Sequence, residues 1–394
     1  MSVFVNFVLL LLALPALLAS LYLLLFTLLS RKPPLPLQSS RCLRFDIIVP
    51  AHNEAAVIAG VVSSLRQIDW PADRFRILVV ADNCTDDTAI RARAAGAVVL
   101  ERNVVEQRGK GYALAWAFDK SREHGQAYAV VVVDADSEVS SNLLEAFAAR
   151  IESGSNIIQA HYGVLNAQSS WRTRLMAIAL SSFHRVRSRG RERLQLSCGI
   201  RGNGWCITHQ LLHWVPYRAF SLTEDLEYGI ELGLGGYRVQ YADEAFVNAM
   251  MVSGEEAARS QRQRWEGGRF QLIRSKVLPL LRASFGQGGR VCLDLACDLL
   301  VLPLSWVAIH VALFMGFAAL AAWWQPSLIM WLWIAVVCGV SLGVYVLRGW
   351  QLSGVGMKGL VDLLRAPFFV LWKVVLMLRP NRTAEWVRTK RETL

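Results

Sequence analysis

The sequence predicts an α/β domain with a largely parallel, Rossmann-like sheet, flanked by transmembrane and interfacial helices. Three observations support this prediction. Hydrophobic residues make up 54% of the 394 residues, more than a soluble domain of this length usually carries. The apolar residues are concentrated at the two ends of the chain. Between them, residues 45–270 alternate short β-rich runs with helical patterns, which is typical of β-α-β folds.

Residues 1–30 are predicted to form an N-terminal transmembrane anchor. The stretch 3–29 has no charged residue and exceeds the roughly 20 apolar residues that a membrane crossing needs. A cleaved signal peptide is the alternative, but the segment begins without positive charge and its apolar run is too long. Arg31 and Lys32 follow the run, so the next segment is predicted to be cytoplasmic.

The middle region, 45–270, contains three continuous apolar runs, at 45–49, 77–80 and 129–133. Such runs are expected of parallel strands buried on both faces of a sheet. Helical patterns at 54–67 and 86–95 lie between them. Ligands bind outside the carboxyl ends of the strands in sheets of this kind. The polar residues that follow each run are therefore the candidates for a site.

The C-terminal part is predicted to return to the membrane. An interfacial segment at 271–295 precedes two transmembrane helices within 296–348. Charged residues interrupt the stretch 355–379, so 355–394 is predicted to form an interfacial amphipathic helix and a basic cytoplasmic tail. Three crossings place the middle domain and the tail on one side. The predicted location is the cell (inner) membrane, multi-pass, with the middle domain cytoplasmic.

The net charge of +11 is explained by anionic lipid headgroups, where each cationic residue gains about 1 kcal/mol. Nucleic acid is the competing partner for so basic a chain, but no motif that binds nucleic acid accompanies the charge. The seven cysteines show no metal-ligand spacing. They are predicted to be reduced in a cytoplasmic domain.

Acidic and polar residues follow all three predicted strands: Pro50 to Glu54, Asp82 to Thr88, and Asp134 to Ser137. Each group alone is also good turn and helix-capping chemistry. Together they would meet in one crevice. Asp134 and Asp136 would repel a nucleotide diphosphate unless a divalent cation such as Mg²⁺ or Mn²⁺ lay between them. Such a cation would offset charge on a departing diphosphate.

Three further motifs carry chemistry. Lys110 lies between two glycines and either reaches a nucleotide phosphate or is an exposed loop lysine; a P-loop is excluded by the missing flanking residues. Ser221 and Glu224 have capping-box spacing, which leaves Asp225 as a possible general base. The motif 261–265 is either a basic helix at the membrane surface or a clamp for a diphosphate and a sugar ring.

With these motifs in their order, the chain resembles membrane-integrated family 2 glycosyltransferases. That group contains hyaluronan, cellulose, chitin and poly-N-acetylglucosamine synthases, and ceramide-type glucosyltransferases share the motif set. The motifs are the aspartate strand end, Asp-x-Asp at 134–136, Thr-Glu-Asp at 223–225 and Gln-x-x-Arg-Trp at 261–265. The resemblance implies a GT-A fold and an inverting, metal-dependent hexosyltransferase that uses a UDP-sugar and forms a β-linkage.

The resemblance also implies roles for individual residues. Those expected to bind the nucleotide sugar are Pro50, Glu54, Asp82, Lys110, Asp134, Gln261, Arg264 and Trp265. Asp136 would bind Mg²⁺ or Mn²⁺, and Asp225 would be the catalytic base. The acceptor site would contain Gly202, Asn203, Gly204, Glu224 and Trp265.

The acceptor stays open between a growing polysaccharide or oligosaccharide and a membrane lipid. The 261–265 motif favours a saccharide, whereas three predicted spans, fewer than the large synthases have, favour a lipid. A homo-oligomer or an export partner could complete a channel for a polymer. The arginine-rich segment 171–193 is either a face toward solvent and lipid headgroups or a platform that guides an amphiphilic acceptor.

Two alternatives come from other functional classes. The first is a non-catalytic membrane subunit of a polysaccharide-export complex, and the intact set of acidic residues argues against it. The second is a transporter, for which the chain has too few spans and too large a middle domain.

Overall fold

The structure is a computed structural model that describes residues 2–251, 255–286 and 288–368, with the backbone alone for residue 2 and residues 255–264. Eight strands form one sheet. Their bounds are β1 Phe45–Ala51, β2 Phe75–Asp82, β3 Val98–Arg102, β4 Ala129–Val132, β5 Ser137–Val139, β6 Ile157–Val164, β7 Trp205–Thr208 and β8 Gln240–Ala249. The order across the sheet is β3-β2-β1-β4-β7-β6-β8-β5.

The first half of this sheet is parallel and the second half is mixed. Strands β3, β2, β1 and β4 run in one direction, as the apolar runs predict. Strand β7 is antiparallel to both of its neighbours, β6 and β8 are parallel, and β5 is antiparallel to β8. The carboxyl ends of β1, β2 and β4 therefore meet at one edge of the sheet, which is where the predicted site residues begin.

Fourteen α-helices lie within the described residues. Their bounds are α1 Ser2–Leu28, α2 Ile58–Arg66, α3 Thr88–Ala94, α4 Lys110–His124, α5 Leu143–Glu152, α6 Trp171–Leu180, α7 Arg187–Arg193, α8 His209–Trp214, α9 Glu224–Leu234, α10 Glu255–Ala283, α11 Gly289–Leu300, α12 Leu304–Trp324, α13 Ile329–Ser353 and α14 Gly356–Asp362. A π-helical stretch, Ser181–Val186, joins α6 to α7.

The sheet is buried on both faces. In β1, Ile47 and Val49 point to one face and pack with the apolar residues of α2 and α5. Ile48 points to the other face and packs against α4. Because successive residues of a strand alternate between faces, a continuous apolar run is what a doubly covered strand requires. Two cores therefore enclose the sheet and fix the edge that bears the site.

Three helices of the described chain are long and apolar enough to cross a membrane: Val3–Leu28, Leu304–Trp324 and Pro326–Ser353. They pack against one another in a single apolar cluster. Polar side chains within this bundle find partners there. The Trp331 indole donates to Asn6 at 2.9 Å, and His310 Nε2 lies 2.8 Å from the Leu12 carbonyl oxygen.

In the arginine-rich segment, Arg187, Arg189 and Arg191 are buried, so the prediction of a face toward solvent and lipid headgroups is wrong for them. Arg187 and Arg191 of α7 are 2% and 0% exposed. Arg187 bonds to Asp298 of α11 at 2.9 Å, and Arg191 bonds to Asp294 at 2.7 Å and to Asp298 at 2.8 Å. Aspartates about a hundred residues away neutralise these charges, and α7 becomes a buried connection between strand β8 and the helices α1 and α11.

We call this cluster the arginine junction. Its members are Arg187, Arg191, Arg201, Arg269, Asp294 and Asp298. Arg269 of α10 donates to the backbone carbonyls of Asp298 and Val301. Tyr22 of α1 bonds to the Asp294 carboxylate at 2.8 Å. The junction thus joins a membrane helix, α7, α10 and α11.

The predicted interfacial helix at 355–394 is described only up to residue 368, and the rest lies outside the described residues. Its described part is α14 followed by a short 3-10 turn, Leu363–Arg365. Asp362 is buried and accepts from Arg174 of α6 at 2.6 Å. Asp362, one of the charged residues that interrupt the apolar stretch, therefore forms an internal ion pair with α6.

Candidate active site

The loops after β1 and β2 are tied together by hydrogen bonds. The Glu54 N–H donates to Thr88 Oγ1 at 2.7 Å, and the Thr85 N–H donates to Asn53 Oδ1 at 2.7 Å. Asn53 has a φ of 57°, a left-handed conformation that asparagine tolerates better than most residues. Pro50 lies near the end of β1 opposite Val80. The predicted nucleoside residues Pro50 and Glu54 thus sit on a fixed rim.

Asp82 ends β2 in a buried ion pair. Arg102 Nη1 lies 2.7 Å from Asp82 Oδ1, and both side chains are less than a tenth exposed. Asn83 Nδ2 donates to the same carboxylate oxygen at 3.1 Å. Sequence reasoning missed Arg102, although it ends β3 directly beside Asp82 in the parallel register. A charged residue at a strand end next to an aspartate is the signal that could have found it.

Lys110 brings three sequence motifs together. Its ammonium lies 2.5 Å from Asp134 Oδ1, 2.6 Å from the Gly202 carbonyl oxygen and 3.8 Å from Glu224 Oε1. Burial opposes the ammonium charge, but Asp134 and Glu224 outweigh burial and raise the pKa of Lys110. Lys110 is therefore a charged group inside the site and not an exposed loop lysine.

The positions on either side of Lys110 require glycine for two different structural reasons. Gly109 precedes α4 with a φ of 125°, a conformation that residues with a side chain rarely adopt. A Cβ at Gly111 would collide with the Ala219 carbonyl oxygen on the segment before α9. The glycines let α4 begin with its lysine held against the strand end and the acidic motif.

Asp134 follows β4 and is held through Asn203. The Asp134 N–H donates to Asn203 Oδ1 at 3.0 Å, and Asn203 Nδ2 donates to Ser137 Oγ at 2.8 Å. Gln159 Nε2 in turn donates to the Asn203 carbonyl oxygen at 2.7 Å. Asn203 is fully buried. Asn203 therefore positions the segment after β4 that contains Asp134. Because its side chain is buried, an acceptor at this point would contact the neighbouring Gly202 and Gly204 instead.

The predicted capping box at the next motif does not form. Helix α9 begins at Glu224 with Thr223 as its cap residue, and no side chain caps it. The buried Ser221 hydroxyl has no hydrogen-bond partner among the described residues. The Ser-x-x-Glu spacing does not give a capping box because the helix begins two residues later than that spacing predicts, with Thr223 instead of Ser221 at the cap position. Glu224 and Asp225 are both in the first helical turn, beside the site.

Burial dominates the electrostatics of this pair. It raises the pKa of Glu224 to about 7, with Lys110 opposing the shift and Asp225 adding to it. Burial also raises the pKa of Asp225, although the Leu226 N–H, Lys110 and Arg201 lower it in part. A carboxylate whose pKa is raised binds a proton more readily, which suits a group that must take a proton from a hydroxyl.

Gly202 and Gly204 have left-handed backbones, with φ of 82° and 71°. A Cβ at Gly202 would lie 3.1 Å from Asp225 Oδ2, and one at Gly204 would lie 2.6 Å from Val247 Cγ2. The absence of a side chain at Gly202 keeps space beside the Asp225 carboxylate. Such space is what a substrate hydroxyl would need.

Helix α10 passes the start of α9 at a glycine. A Cβ at Gly268 would lie 2.5 Å from Thr223 Cγ2, whereas one at Gly267 would meet no atom within 4 Å. Trp265, one turn earlier, is 37% exposed. The side chains of Gln261 and Arg264 lie outside the described residues, although their backbone is helical. Gly268 thus allows the helix of the 261–265 motif to approach the start of α9, where the acidic pair lies.

Asp136 is the predicted metal ligand. It lies two residues after Asp134, half-buried, and its backbone carbonyl accepts from the Met250 N–H at 3.3 Å. No group of three or more metal-binding side chains occurs within the described part of the chain. Mg²⁺ and Mn²⁺ at nucleotide sites commonly take only one or two carboxylates and complete their shell with phosphate oxygens. The pair Asp134 and Asp136 fits that mode of binding.

Two further residues, missed by the sequence reasoning, border the site. Burial raises the pKa of Tyr162, and the negative charges of Asp134 and Asp225 raise it further. Arg201 is buried, lies 4.3 Å above the Phe183 ring and lowers the pKa of Asp225. Tyr162 lies within β6 and Arg201 precedes β7, and neither belongs to a sequence motif, so only the tertiary structure places them.

A sheet whose parallel half ends in aspartates, with an acidic helix start opposite, has the arrangement of a GT-A fold. The family described as glycosyltransferase like family 2 matches residues 44–268, more than half of the chain. The chain therefore belongs to the family 2 glycosyltransferases and is an enzyme of that family. The resemblance to this family is confirmed, and so is the GT-A fold.

Named relatives act on lipids and on polysaccharides. The chain is 29% identical over 237 residues to a beta-monoglucosyldiacylglycerol synthase of Synechocystis sp., covering 57% of this chain and 47% of that one. It is 26% identical over 243 residues to a probable glucomannan 4-beta-mannosyltransferase of Oryza sativa, covering 57% and 43%. The matched region thus spans about half the length of these relatives.

Among solved structures, the chain is similar to a mannosyltransferase from Pyrobaculum calidifontis in complex with GDP-Man and Mn²⁺. The TM-score is 0.49 at 19% sequence identity, covering 86% of this chain and 99% of that one.

Proposed function

We propose that the protein transfers a hexosyl group from a UDP-sugar to a hydroxyl acceptor at the membrane surface, with inversion and with the help of a divalent cation. One observation carries the proposal. The Lys110 ammonium joins the aspartate strand end at Asp134 to the acidic helix start at Glu224, so donor-binding and acceptor-activating groups share one site. A non-catalytic subunit has no need for such an arrangement.

Asp225 is the general base. Its carboxylate lies beside the side-chain-free surface of Gly202, where an acceptor hydroxyl can approach. As the hydroxyl oxygen attacks the anomeric carbon, Asp225 takes its proton and the bond to the UDP oxygen breaks on the opposite face. In-line attack of this kind inverts the anomeric centre and gives a β-linkage from an α-linked donor. The raised pKa of Asp225 favours uptake of the proton.

The donor diphosphate is placed at the carboxyl ends of β1, β2 and β4. Pro50, Glu54 and Asp82 form the rim for the nucleoside, and Asp134 lies below the diphosphate. Bound by Asp136 with Asp134 beside it, Mg²⁺ or Mn²⁺ would offset the charge that develops on the leaving UDP. Lys110 supplies a second positive charge, and Gln261, Arg264 and Trp265 approach on α10 to close over the donor.

The catalytic domain is placed on the cytoplasmic face of the cell (inner) membrane. Arg348, near the end of α13, donates to the Ser30 hydroxyl at 2.9 Å and to its carbonyl oxygen at 3.1 Å. The ends of α1 and α13 therefore lie together, next to Arg31 and Lys32. Positive residues at the ends of crossing helices favour the cytoplasmic side.

The acceptor is a membrane lipid or a growing saccharide, and the named relatives include both kinds of enzyme. Three apolar helices in the described chain form a small membrane domain, which supports a single-sugar glycolipid product. A polymer product would require an export partner or a homo-oligomer to complete a channel.

The test is UDP release by detergent-purified protein supplied with UDP-glucose or UDP-N-acetylglucosamine and with candidate acceptors. We expect release with one donor in Mg²⁺ or Mn²⁺ and its loss in EDTA. Asp136→Asn should weaken the response to the metal, whereas Asp119→Asn, at an exposed ion pair of α4, should behave as the unchanged protein. The sizes of the products separate a glycolipid from a polymer. Absence of release with every donor and acceptor would contradict the proposal.

A further inference from the structure

A cavity of about 420 Å³ lies between the sheet and the membrane helices, apart from the strand ends that bear the donor site. Its walls come from β6, β8, α6, the π-helical stretch and the end of α13. The volume is within the range of roughly 300–1,000 Å³ that is typical of pockets for small molecules. None of the roles assigned above uses this cavity.

One end of the cavity lies at the ends of two of the apolar helices, α1 and α13. Leu352 and Ser353, the last residues of the membrane helix α13, line it together with Lys32, which follows α1 and is exposed. Ala177 and Leu180 of α6 add an apolar wall. A molecule whose chains remain in the bilayer could therefore place its polar end in the cavity without leaving the membrane.

The other end approaches the catalytic carboxylates. Asn248 lines the cavity on β8, and two residues later the Met250 N–H donates to the Asp136 carbonyl oxygen at 3.3 Å. Tyr162 also lines the cavity, and the charges of Asp134 and Asp225 act on its hydroxyl. The cavity thus lies between the bilayer surface and the acidic site.

The charged side chains deeper in the cavity are already paired. Arg185 donates to Asp243 Oδ1 at 3.0 Å, and Arg189 binds the other oxygen of the same carboxylate at 2.6 Å. Glu244 is held by Arg150, with one bond of 3.1 Å.

The histidine of the lining is neutral. Burial lowers the pKa of His161 to about 3, with Arg185 lowering it further, so its ring is uncharged at neutral pH. Its Nδ1 lies 3.2 Å from the Tyr241 hydroxyl. Away from Lys32 at the opening, the polar groups that remain for a ligand inside the cavity are amide, hydroxyl and imidazole groups. These match hydroxyl groups better than they match a phosphate, which would need an unpaired cation in the interior.

We propose that this cavity receives the hydroxyl-bearing headgroup of a neutral lipid acceptor, which enters from the bilayer beside the end of α13. The inference rests on the proposed function and specifies its acceptor class. The apolar wall contacts the first carbons of the lipid chains, the polar interior orients the hydroxyls, and one hydroxyl reaches Asp225.

Photo-crosslinking tests the site without relying on turnover. The full chain is placed in phosphatidylcholine nanodiscs with a photoactivatable diacylglycerol, and labelled peptides are identified by mass spectrometry. We expect label on residues 164–181 or 352–353, removed by excess unlabelled diacylglycerol but not by the same fraction of phosphatidic acid. Equal competition by phosphatidic acid, or label confined to other segments, would overturn the inference.

Two pairs of variants control for folding. Ala177→Trp fills the cavity and should lower labelling by roughly tenfold or more, whereas Met176→Trp, the neighbouring residue that does not line it, should not. Ser353→Trp narrows the opening, and Gln351→Trp, exposed and outside the lining, is its control. Each variant is compared with the unchanged protein by thermal unfolding. Normal labelling of both filled variants would overturn the inference.

Transfer assays separate this inference from the proposed function. If the unchanged protein is labelled at the cavity but transfers no sugar, lipid binding at the cavity is supported and the enzymatic proposal fails. If it transfers sugar to diacylglycerol while Ala177→Trp transfers equally well, the enzymatic proposal stands and the cavity assignment fails. In the filled variants, UDP release without acceptor should stay normal, because the donor site is untouched.

Discussion

The candidate active site and the arginine junction are both buried and charged, but with opposite balance. In the site, one ammonium, Lys110, faces the carboxylates Asp134, Glu224 and Asp225. In the junction, four arginines face two aspartates. Burial raises the pKa of Glu224 and Asp225 in the site. In the junction burial alone would raise the pKa of Asp298, yet Arg191 and Arg187 hold it well below its usual range.

The difference separates a reactive site from a structural one. A buried acidic cluster with little positive charge nearby is stabilised when it binds a cation or a proton. Such a cluster is therefore suited to metal binding and to general base catalysis. In the junction, Asp298 is held by several arginines, which lower its pKa and oppose its protonation. We infer that the junction fixes the catalytic domain against the membrane helices, and each prediction below tests one side of this contrast.

The largest effect is expected on turnover at the site. Asp225→Asn removes the proton acceptor while keeping the shape of the side chain. General acid–base catalysis contributes about 100- to 10,000-fold, so the rate of UDP release with acceptor should fall by about that factor. Thermal unfolding should be little changed, because the lost group is a carboxylate whose burial is unfavourable.

Glu231→Gln, on the same helix and bonded to Lys276, is the matched control and should retain turnover. The unchanged enzyme should also lose activity on the acidic side at a pH above the ordinary range of aspartate, because burial raises the pKa of Asp225. Protonation below that pKa removes the base. Normal turnover by Asp225→Asn would transfer the role of base to another group, with Glu224 the nearest candidate.

On the junction side, the main effect is expected on stability. Asp298→Asn leaves Arg187 and Arg191 buried with less negative charge around them. Removing one partner of a buried ion pair typically costs about 3–5 kcal/mol. The midpoint of thermal unfolding in detergent should fall clearly, and activity should be lost only as the protein unfolds.

The control for this loss is Asp69→Asn, which removes an exposed ion pair with Arg41 at 2.7 Å. Solvent screens exposed ion pairs and they add little stability, so the unfolding midpoint should hardly move. If Asp298→Asn unfolded no earlier than Asp69→Asn, the junction would not be holding the two parts together. A loss of activity at unchanged stability would instead connect the junction to the chemistry.

The contrast also explains what the sequence could predict. Apolar runs followed by aspartates are local signals, and the chain forms the parallel strands with Asp82 at the end of β2 and Asp134 shortly after β4, as those signals predict. The junction has no local signal. The segment around Arg187 and Arg191 does not indicate that these side chains are buried. Arg187 bonds to Asp298, 111 residues later, and Arg191 bonds to Asp294, 103 residues later. Both aspartates lie on a helix in the C-terminal part of the chain.

The capping box failed for a related reason. The spacing of Ser221 and Glu224 is a local pattern, whereas the segment around the start of α9 is in close contact with two other helices. Gly111 brings α4 against the Ala219 carbonyl, and Gly268 brings α10 against Thr223. Each close approach needs a glycine and a contact that is distant in the sequence. The sequence shows the glycine but does not show which residue it contacts.

The smallest effect is expected where the two regions meet, on α10. Gly268 packs on Thr223 beside the site, and the next residue, Arg269, donates to the Asp298 carbonyl in the junction. Gly268→Ala would place a Cβ 2.5 Å from Thr223 Cγ2, so α10 or the start of α9 must shift. Overpacking of this kind costs about 1–3 kcal/mol, and turnover should fall with it because Asp225 moves.

Gly267→Ala is the matched control, since its Cβ would meet no atom within 4 Å. Alanine is favoured over glycine in a helix by about 0.5–1 kcal/mol, so this variant should unfold slightly later and keep its turnover. Opposite signs for two adjacent substitutions, measured by thermal unfolding and UDP release, would show that the position of α10 couples the junction to the site. Equal stabilisation by both would mean that α10 does not press on the acidic pair, and the two charged regions would then act independently.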